Sequence, residues 1–189
     1  MKIAYSGAPG AFAHEACLAF APDLSPMAVD GFAAVADAVE SGAAGFGMLP
    51  LHNSAAGTVE DVAELLRTRP LHIVAEHDLS VRMHLLGLPE TDISAVRIVR
   101  SHPMALRQCA RALDALSVEL VEAGNTAVAA RNLADPAHAV LASEAAAKAY
   151  GLIILQRDLQ EDPDNRTRFA LVVAGQYDGG VSTSRFPSA

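Results

Sequence analysis

The stretch NRTRFALVV, residues 165–173, joins side chains that can do chemistry to the start of an apolar segment. Residues 169–173 are aromatic, aliphatic or β-branched, which predicts a buried strand. Just before them stand the hydroxyl of Thr167 and the guanidinium groups of Arg166 and Arg168. Guanidinium groups bind carboxylates and phosphates, and a hydroxyl can donate a hydrogen bond. Either these groups bind a small anion at the mouth of the strand, or they are solvated charges.

The composition favours a small-molecule partner over a nucleic acid. The 189 residues include 22 acidic and 14 basic side chains, for a formal net charge of −8. Nucleic-acid phosphates require a basic face, whereas an anionic small molecule needs only a locally suitable pocket. Hydrophobic residues make up 51% of the chain without any Trp, which predicts an α/β protein with an aliphatic, alanine-rich core.

Short apolar segments alternate with helical patterns along the chain. The predicted strands are residues 2–5, 46–49, 72–76, 97–99, 119–121, 139–141 and 169–173. Helical spacing of apolar residues recurs between them, for instance at Phe32, Val35, Ala36 and Val39. This alternation predicts mostly parallel sheets with helices on their faces. The turn GAPGAF after the first strand lacks the spacing of a dinucleotide-binding motif.

Polar residues follow several of these strands, where helices are predicted to begin. In parallel sheets, ligands bind beyond the carboxyl ends of strands and close to helix N-termini. The residues concerned are Asn53, Ser54, Ser101 as an N-cap, Asn125 and Thr126. Each can simply cap a helix, or together they can bind an anion, and the sequence leaves both possibilities open.

Cysteine usage and the chain start suggest a reducing compartment. Cys17 and Cys109 fall among apolar residues of predicted helices, which favours buried free thiols over a disulfide or a metal site. The chain opens on the strand-like MKIAYSG, and no apolar run approaches the roughly 18 residues of a membrane span. We expect a cytoplasmic protein with no membrane partner, and a frayed polar tail over residues 175–189.

Taken in order, these stretches resemble the catalytic domain of prephenate dehydratase over residues 2–175. The matching motifs are IAYSGAPGAF, GFGMLPLHNSAAG, VRSHPMALRQC, GNTAVAA, LASEAAAKAYGLIIL and NRTRFALV, the last carrying the family's Thr-Arg-Phe signature. The resemblance implies two α/β lobes, similar to a type II periplasmic binding protein, with an interlobe cleft. The lobes implied are 1–77 with 160–189, and 78–159.

The resemblance also implies a reaction, the loss of water and carbon dioxide from prephenate to give phenylpyruvate in phenylalanine biosynthesis. No metal or organic cofactor is implied. Such a site must hold two carboxylates and help a ring hydroxyl leave. By resemblance Thr167 is the hydrogen-bond donor to that hydroxyl. The other candidates for substrate contact are Asn53, Ser54, Ser101, Gln108, Thr126, Arg168 and Phe169.

Two of these candidates have specific expectations attached. Arg168 cannot lie on the same face of an extended segment as Thr167, so it either contacts substrate, anchors the turn or pairs with an acid of the other lobe. Phe169 is expected to close the apolar wall behind the substrate ring.

The sequence departs from the family pattern around these residues. His52 stands where the family has a glutamate, and Ala55 and Ala56 replace a Thr-Glu pair. Further losses of polar groups are Pro9, Ala11 and Met104. His52 is either a surface histidine or an acid or base near neutral pH.

Three alternative functions follow from these departures. One is a hydrolase of a small ester or lactone that uses His52 near Ser54. Another is a non-catalytic phenylalanine- or prephenate-binding protein, and the third is a decarboxylase of prephenate that does not aromatise it. The usual regulatory ACT domain is expected to be absent, so any phenylalanine is expected in the cleft. A homodimer is expected because the family pairs its subunits, and acceptance of arogenate is left open.

Overall fold

The alternation expected from the sequence is present in the computed structural model, which describes residues 1–175. The strands are β1 (Lys2–Ser6), β2 (Ser25–Val29), β3 (Phe46–Asn53), β4 (Gly57–Thr58), β5 (Leu71–Ser80), β6 (His84–Gly87), β7 (Ile98–Ser101), β8 (Glu119–Glu122), β9 (His138–Ala142), β10 (Ile153–Gln156) and β11 (Arg166–Ala174). The helices are α1 (Phe12–Phe20), α2 (Phe32–Glu40), α3 (Glu60–Thr68), α4 (Pro103–Gln108), α5 (Ala110–Leu116), α6 (Thr126–Arg131) and α7 (Glu144–Tyr150).

The chain divides into two units, each built on one sheet. The first unit contains Met1–Gly7, Ala13–Ser80 and residues 166–175, and the second contains Ala8–Phe12 and Val81–Asn165. The lobe boundaries and the interlobe cleft expected from the sequence stay predictions. Residues 176–189, for which a frayed tail was expected, lie outside the described part.

The first sheet has the strand order β2-β1-β3-β11-β5, and β4 pairs with the end of β3. Pairs β1–β2 and β1–β3 are parallel, whereas β11 runs antiparallel to both β3 and β5. The antiparallel order has a topological cause. β5 leaves the unit at Ser80 and β11 re-enters it at Arg166, and these two residues are cross-strand partners.

The second sheet has the order β10-β6-β9-β7-β8 and is also mixed. Its central and edge pairs β7–β9 and β7–β8 are parallel, and β6 pairs antiparallel with β9 and β10. The expectation of mostly parallel sheets is therefore wrong, although the α/β class itself is confirmed. The antiparallel strands missed were short, as in the four-residue β6 and β10.

Strand β11 lies between β3 and β5 in the first sheet and presents two different faces. Ala170 and Val172 pack into a buried cluster with Val35 and Val39 of α2 and with residues of α3. Thr167 and Phe169 point to the opposite face and are buried, whereas Arg166 and Arg168 are exposed. This alternation confirms that Thr167 and Arg168 lie on different faces.

Helix boundaries differ from expectation around Cys109. The apolar spacing of residues 106–113 predicts one helix, but the chain forms α4 and α5 with Cys109 at their junction, at φ −120° and ψ 16°. Cys17 lies on α1, and both cysteines are free and buried, as expected. Among residues 1–175, no helix is both long enough and apolar enough to cross a membrane.

Candidate active site

Thr167 is held by a side chain from the neighbouring strand. Thr167 of β11 is the cross-strand partner of Asn53 at the end of β3. The Asn53 amide Nδ2 donates a hydrogen bond to Thr167 Oγ1 at 2.9 Å. Thr167 is 9% exposed. Because its oxygen already accepts one hydrogen bond, and no acceptor for its proton is found among residues 1–175, the hydroxyl can donate to another molecule.

The orientation of the Asn53 amide is fixed by the turn that follows it. Asn53 Oδ1 accepts hydrogen bonds from the backbone N–H groups of Ala55 and Ala56, each at 3.0 Å. Only a carbonyl oxygen can accept these two bonds, so the NH₂ group must face β11. It donates there to the carbonyl of Arg166 at 3.2 Å as well as to Thr167. The turn therefore determines which way the Thr167 hydroxyl is polarised.

Ser54 joins the end of β3 to the start of β11. Its backbone N–H donates to the Arg166 carbonyl at 2.9 Å, and its Oγ accepts from the Arg166 N–H at 3.0 Å. These two hydrogen bonds hold the backbone directly before Thr167. The role expected for Ser54 in substrate contact stays a prediction.

Arg168 pairs with an acid of its own unit. Its guanidinium donates to both carboxylate oxygens of Asp78 on β5, Nε to Oδ1 at 2.9 Å and an Nη to Oδ2 at 3.2 Å. Glu76 lies at 4.0 Å. The hydrogen bond from Arg168 is the main reason that the pKa of Asp78 is lowered. The sequence left open a pair with an acid of the other lobe, and that partner is wrong, because Asp78 lies on the adjacent strand of the same unit.

His52 lines a small pocket on the face of the sheet opposite Thr167. His52 is the cross-strand partner of Arg168 and is exposed. The pocket encloses about 220 Å³, and its lining residues are His52, Ser54, Asp78, Arg166 and Arg168. A possible base, a hydroxyl and a carboxylate therefore share one pocket with two cations.

Phe169 is 2% exposed and lies opposite Pro50 on one side and His77 on the other. It belongs to the core of the first unit. Its expected role as a wall behind the substrate ring stays a prediction.

In the second unit, Ser101 is not the N-cap that the sequence suggested. Strand β7 continues through Ser101, which is fully buried and donates its hydroxyl to the Leu141 carbonyl at 2.7 Å. His102 caps α4 instead, since its Nδ1 accepts from the Met104 N–H at 3.2 Å. The N-cap interpretation failed because Pro103 at the first helical position leaves His102, not Ser101, as the flanking residue.

The other two predicted contacts in this unit begin or end helices. Asn125 caps α6 by accepting from the N–H groups of Ala127 and Val128 at 2.8 and 3.3 Å. Thr126 is the first residue of that helix, and no partner for its hydroxyl is found in residues 1–175. Gln108 ends α4, and its Oε1 accepts from Asn165 Nδ2 at 3.1 Å.

The described chain contains no group of three or more His, Cys, Asp or Glu side chains that could hold a metal ion. The sequence did not single out one buried group beside the site, His77. Its position opposite Phe169 depends on strand pairing, which periodicity alone does not provide.

Comparison with known proteins gives a consistent match. The profile of the family described as prephenate dehydratase matches residues 3–176. Arogenate dehydratase/prephenate dehydratase 1, chloroplastic, from Arabidopsis thaliana is 35% identical over 91% of this chain and 45% of its own length. A bifunctional N-acyl-homoserine lactone acylase/prephenate dehydratase from Komagataeibacter europaeus is 35% identical over 88% of this chain and 60% of its own. The chain thus spans about half the length of the curated relatives it matches.

Solved structures agree. The prephenate dehydratase from Arthrobacter aurescens, solved in complex with L-Phe, superposes with a TM-score of 0.86 at 25% identity, covering 94% of this chain and 61% of that one. At the level of fold alone, lipoprotein Tp32 from Treponema pallidum gives a TM-score of 0.50 at 15% identity, covering 97% and 86%. The expected two-lobed, periplasmic-binding-protein-like α/β fold is confirmed.

Proposed function

Because this chain belongs to the prephenate dehydratase family, we propose that it converts prephenate to phenylpyruvate with loss of water and carbon dioxide. The observation that carries the proposal is the 2.9 Å hydrogen bond from Asn53 to Thr167. Because the Thr167 oxygen accepts this bond, its proton is available for a hydrogen bond to a leaving group.

The chemistry requires help at one oxygen. The bond between the ring and its carboxylate breaks, carbon dioxide departs, and the electron pair of that bond enters the ring. Aromatisation then expels the ring hydroxyl, which takes a proton from solvent and becomes water. An oriented hydrogen-bond donor stabilises the charge that develops on this leaving oxygen.

Thr167 supplies that donor in our proposal, and Asn53 orients it. A threonine hydroxyl is a weak acid, so Thr167 acts by hydrogen bonding rather than by giving up its proton. Loss of one such oriented donor costs about 10²–10³-fold in kcat in other enzymes. Asn53, Ser54, Ser101, Gln108, Thr126, Arg168 and Phe169 remain proposed substrate contacts.

The test is turnover of prephenate by wild type, Thr167→Val and Thr167→Ser at neutral pH, with phenylpyruvate measured by its absorbance in alkali. Thr167→Val has nearly the same shape but no hydroxyl, and should lose about 10²-fold or more in kcat. Thr167→Ser keeps the hydroxyl and should retain most of the activity. A wild type that binds prephenate without forming phenylpyruvate would refute the proposal and leave the binding-protein alternative.

A second candidate function is hydrolysis of an N-acyl-homoserine lactone. It is favoured by the name of the Komagataeibacter relative and by the pocket that His52, Ser54 and Asp78 share. In this alternative His52 would take a proton from water or from Ser54, and the oxygen would attack the acyl or lactone carbonyl. The C–N bond of the amide or the C–O bond of the lactone would break, and the leaving amine or alkoxide would take the proton from His52. An acyl group on Ser54 would then be hydrolysed by water. His52→Asn should then abolish release of product while Thr167→Val leaves it unchanged. Equal rates in both variants would exclude this role for His52.

We further propose that the chain binds phenylalanine, works as a homodimer and acts in the cytoplasm on prephenate. Phenylalanine binding is supported by the ligand of the Arthrobacter structure. Calorimetric titration with phenylalanine and sedimentation equilibrium test the first two points. The plant relatives are named chloroplastic, and localisation of the tagged protein in its own cell tests the third.

A further inference from the structure

His77 is a buried histidine directly beside the Thr-Arg-Phe segment. It lies on β5 as the cross-strand partner of Phe169, and the next pair but one along these strands is Leu79 with Thr167. His77 is only 7% exposed. Its ring stacks on Phe20 of α1, with 4.6 Å between the ring centroids and 17° between the planes. His77 therefore stacks on Phe20 and lies cross-strand from Phe169, on the Thr167 face of the sheet.

The buried edge of this ring is chemically unusual. His77 Nε2 is inaccessible to solvent and has no hydrogen-bond partner within residues 1–175. Buried polar atoms are nearly always paired, so an unpaired one indicates a constraint from elsewhere in the structure. A leucine or phenylalanine would fill this place without leaving an unpaired nitrogen. A histidine therefore makes the packing at this place sensitive to protonation, which a leucine or phenylalanine would not.

We propose that His77 is a positioning residue for the reaction, whose neutral ring, stacked on Phe20, holds Phe169 and through it the start of β11 that carries Thr167. This inference rests on the proposed function and names a residue that acts on the donor without touching the substrate. Phe169 lies two residues from Thr167 on the same face of β11, so a shift of Phe169 tilts the backbone that orients the Thr167 hydroxyl.

The charge state of His77 decides whether this packing holds. Burial lowers the pKa of His77, and no charged group contributes to that shift. The ionisable groups on its own strand β5 and on the elements beside it are His14, Glu15 and Cys17 of α1, Arg166 and Arg168 of β11, and His72, Glu76 and Asp78 of β5. A protonated ring would bury an N–H donor without an acceptor. Acid should therefore loosen the β5–β11 pair before it unfolds the unit.

The sign of the pH effect follows from linkage. The pKa of His77 is lower in the folded than in the unfolded chain, so the unfolded chain binds more protons between the two values. The contribution of His77 to stability is complete above the ordinary histidine pKa of about 6.5 and falls as the pH decreases below it. Turnover should fall only at lower pH, below the lowered pKa of the folded protein, where the ring of the folded chain takes up a proton.

The test compares wild type, His77→Phe, His77→Gln and the control His72→Gln on the same strand. His72 is exposed, so its replacement should leave kcat, KM and the pH profile unchanged. Turnover of prephenate is measured from about pH 5 to pH 8, with the uncatalysed rate subtracted. Hydrogen exchange at the Thr167 and Phe169 amides is followed in parallel, and thermal unfolding checks that each variant folds.

His77→Gln should lower kcat roughly ten- to a hundredfold at neutral pH with KM within about twofold, and should speed exchange at Thr167. His77→Phe keeps the stacking without a titrating group. It should keep kcat at neutral pH, and its turnover and its protection from hydrogen exchange should no longer decrease at acid pH. Full activity in His77→Gln would overturn the inference. So would a folded His77→Phe whose turnover falls at acid pH as it does in wild type.

The exchange measurement separates the two proposals. If wild type does not turn over prephenate, the proposed function fails by that result alone. Protection of Thr167 that depends on pH in wild type and not in His77→Phe would still show that His77 holds this strand start. Protection that is the same in both proteins at every pH would refute the positioning role.

Discussion

Asn53 Nδ2 lies 2.9 Å from Thr167 Oγ1, and the same amide closes the turn through Ala55 and Ala56 with its carbonyl oxygen. The NH₂ group of this amide donates to Thr167 while its carbonyl oxygen accepts the turn N–H groups, and the two groups cannot exchange places. If the amide rotated by half a turn, both turn N–H groups would face an NH₂ group and lose their acceptor. The loop after β3 therefore sets the polarity of a hydrogen bond on β11.

Asn53→Asp separates these two jobs. The new carboxylate still accepts the two turn N–H groups, but it can no longer donate to Thr167. It would instead accept the hydroxyl proton of Thr167, which then no longer points to substrate. We expect kcat for prephenate to fall about 10²-fold or more, with about 1 kcal/mol of destabilisation because the bond from Asn53 to the Arg166 carbonyl is also lost.

Ser54→Ala is the matched control for that variant. It removes the hydroxyl that accepts the Arg166 N–H but leaves the Asn53–Thr167 bond in place. We expect about 1 kcal/mol of destabilisation. The loss of kcat should be much smaller than in Asn53→Asp, because a substrate contact away from the leaving oxygen acts mainly on KM. If Ser54→Ala and Asn53→Asp lowered kcat equally, the direction of the Asn53 bond would not be the important feature.

The ion pair of Arg168 and Asp78 gives a prediction about pH. The pKa of Asp78 is lowered chiefly by the hydrogen bond from Arg168. Its contribution to stability is therefore present above the ordinary aspartate pKa of about 3.9 and is lost as the pH falls through the lower folded value. In Arg168→Gln the titration midpoint of Asp78 should move upward, which carboxyl-carbon NMR can measure.

Arg69→Gln is a suitable control, because Arg69 pairs with Asp37 and Glu40 and not with Asp78. The titration midpoint of Asp78 in Arg69→Gln should match that in wild type. An unchanged midpoint in Arg168→Gln would mean that the pair does not persist in solution. Both partners are substantially exposed, with side chains 53% and 35% accessible, so we expect little effect on overall stability.

The sequence predicted the parts of this fold that depend on local pattern. All seven predicted strands overlap observed ones, because apolar runs flanked by turns are a local signal. The short strand β2, with Pro26 inside it, and the four-residue β6 were missed, since such runs carry too little periodicity to be distinguished from loops. The direction of β11 depends on where the chain re-enters the unit, which no local pattern contains.

The site was predicted to a similar extent. Thr167 and Asn53 were named from the resemblance, and strand alternation correctly separated Thr167 from Arg168. The hydrogen bond between Asn53 and Thr167 needs the register of β3 and β11, so the sequence could not provide it. Ser101 was misassigned because one extra strand residue moved the helix cap to His102.

The two cysteines give a prediction about reactivity. Burial raises the pKa of both Cys17 and Cys109 to about 12, and Glu161 adds to the effect at Cys109. At pH 8 only about one thiol in 10⁴ is then ionised, and the thiolate is the reactive form. The folded protein should show almost no reaction with a disulfide reagent within minutes, and two thiols should react after denaturation. Rapid reaction of either thiol in the folded protein would contradict its burial.

Gly10 gives a prediction about the glycine-rich turn. It adopts a positive φ of 85°, and a Cβ built there would lie 2.4 Å from the Ala146 backbone of α7. Its carbonyl accepts the Ser143 hydroxyl at 2.8 Å. Gly10→Ala therefore adds a backbone clash to the strain of a left-handed conformation. We expect more than about 2 kcal/mol of destabilisation.

Gly151→Ala isolates the conformational part of this effect. Gly151 lies in the left-handed region, with φ 66° and ψ 28°, but apart from its chain neighbours no atom of residues 1–175 lies within 4 Å of its Cβ position. This variant should cost only about 1 kcal/mol, which lowers the unfolding midpoint by roughly 2–4 °C in a chain of this length. Gly10→Ala should lower it at least twice as far. Equal shifts would mean that left-handed strain alone requires glycine in the turn, and that close packing on α7 does not.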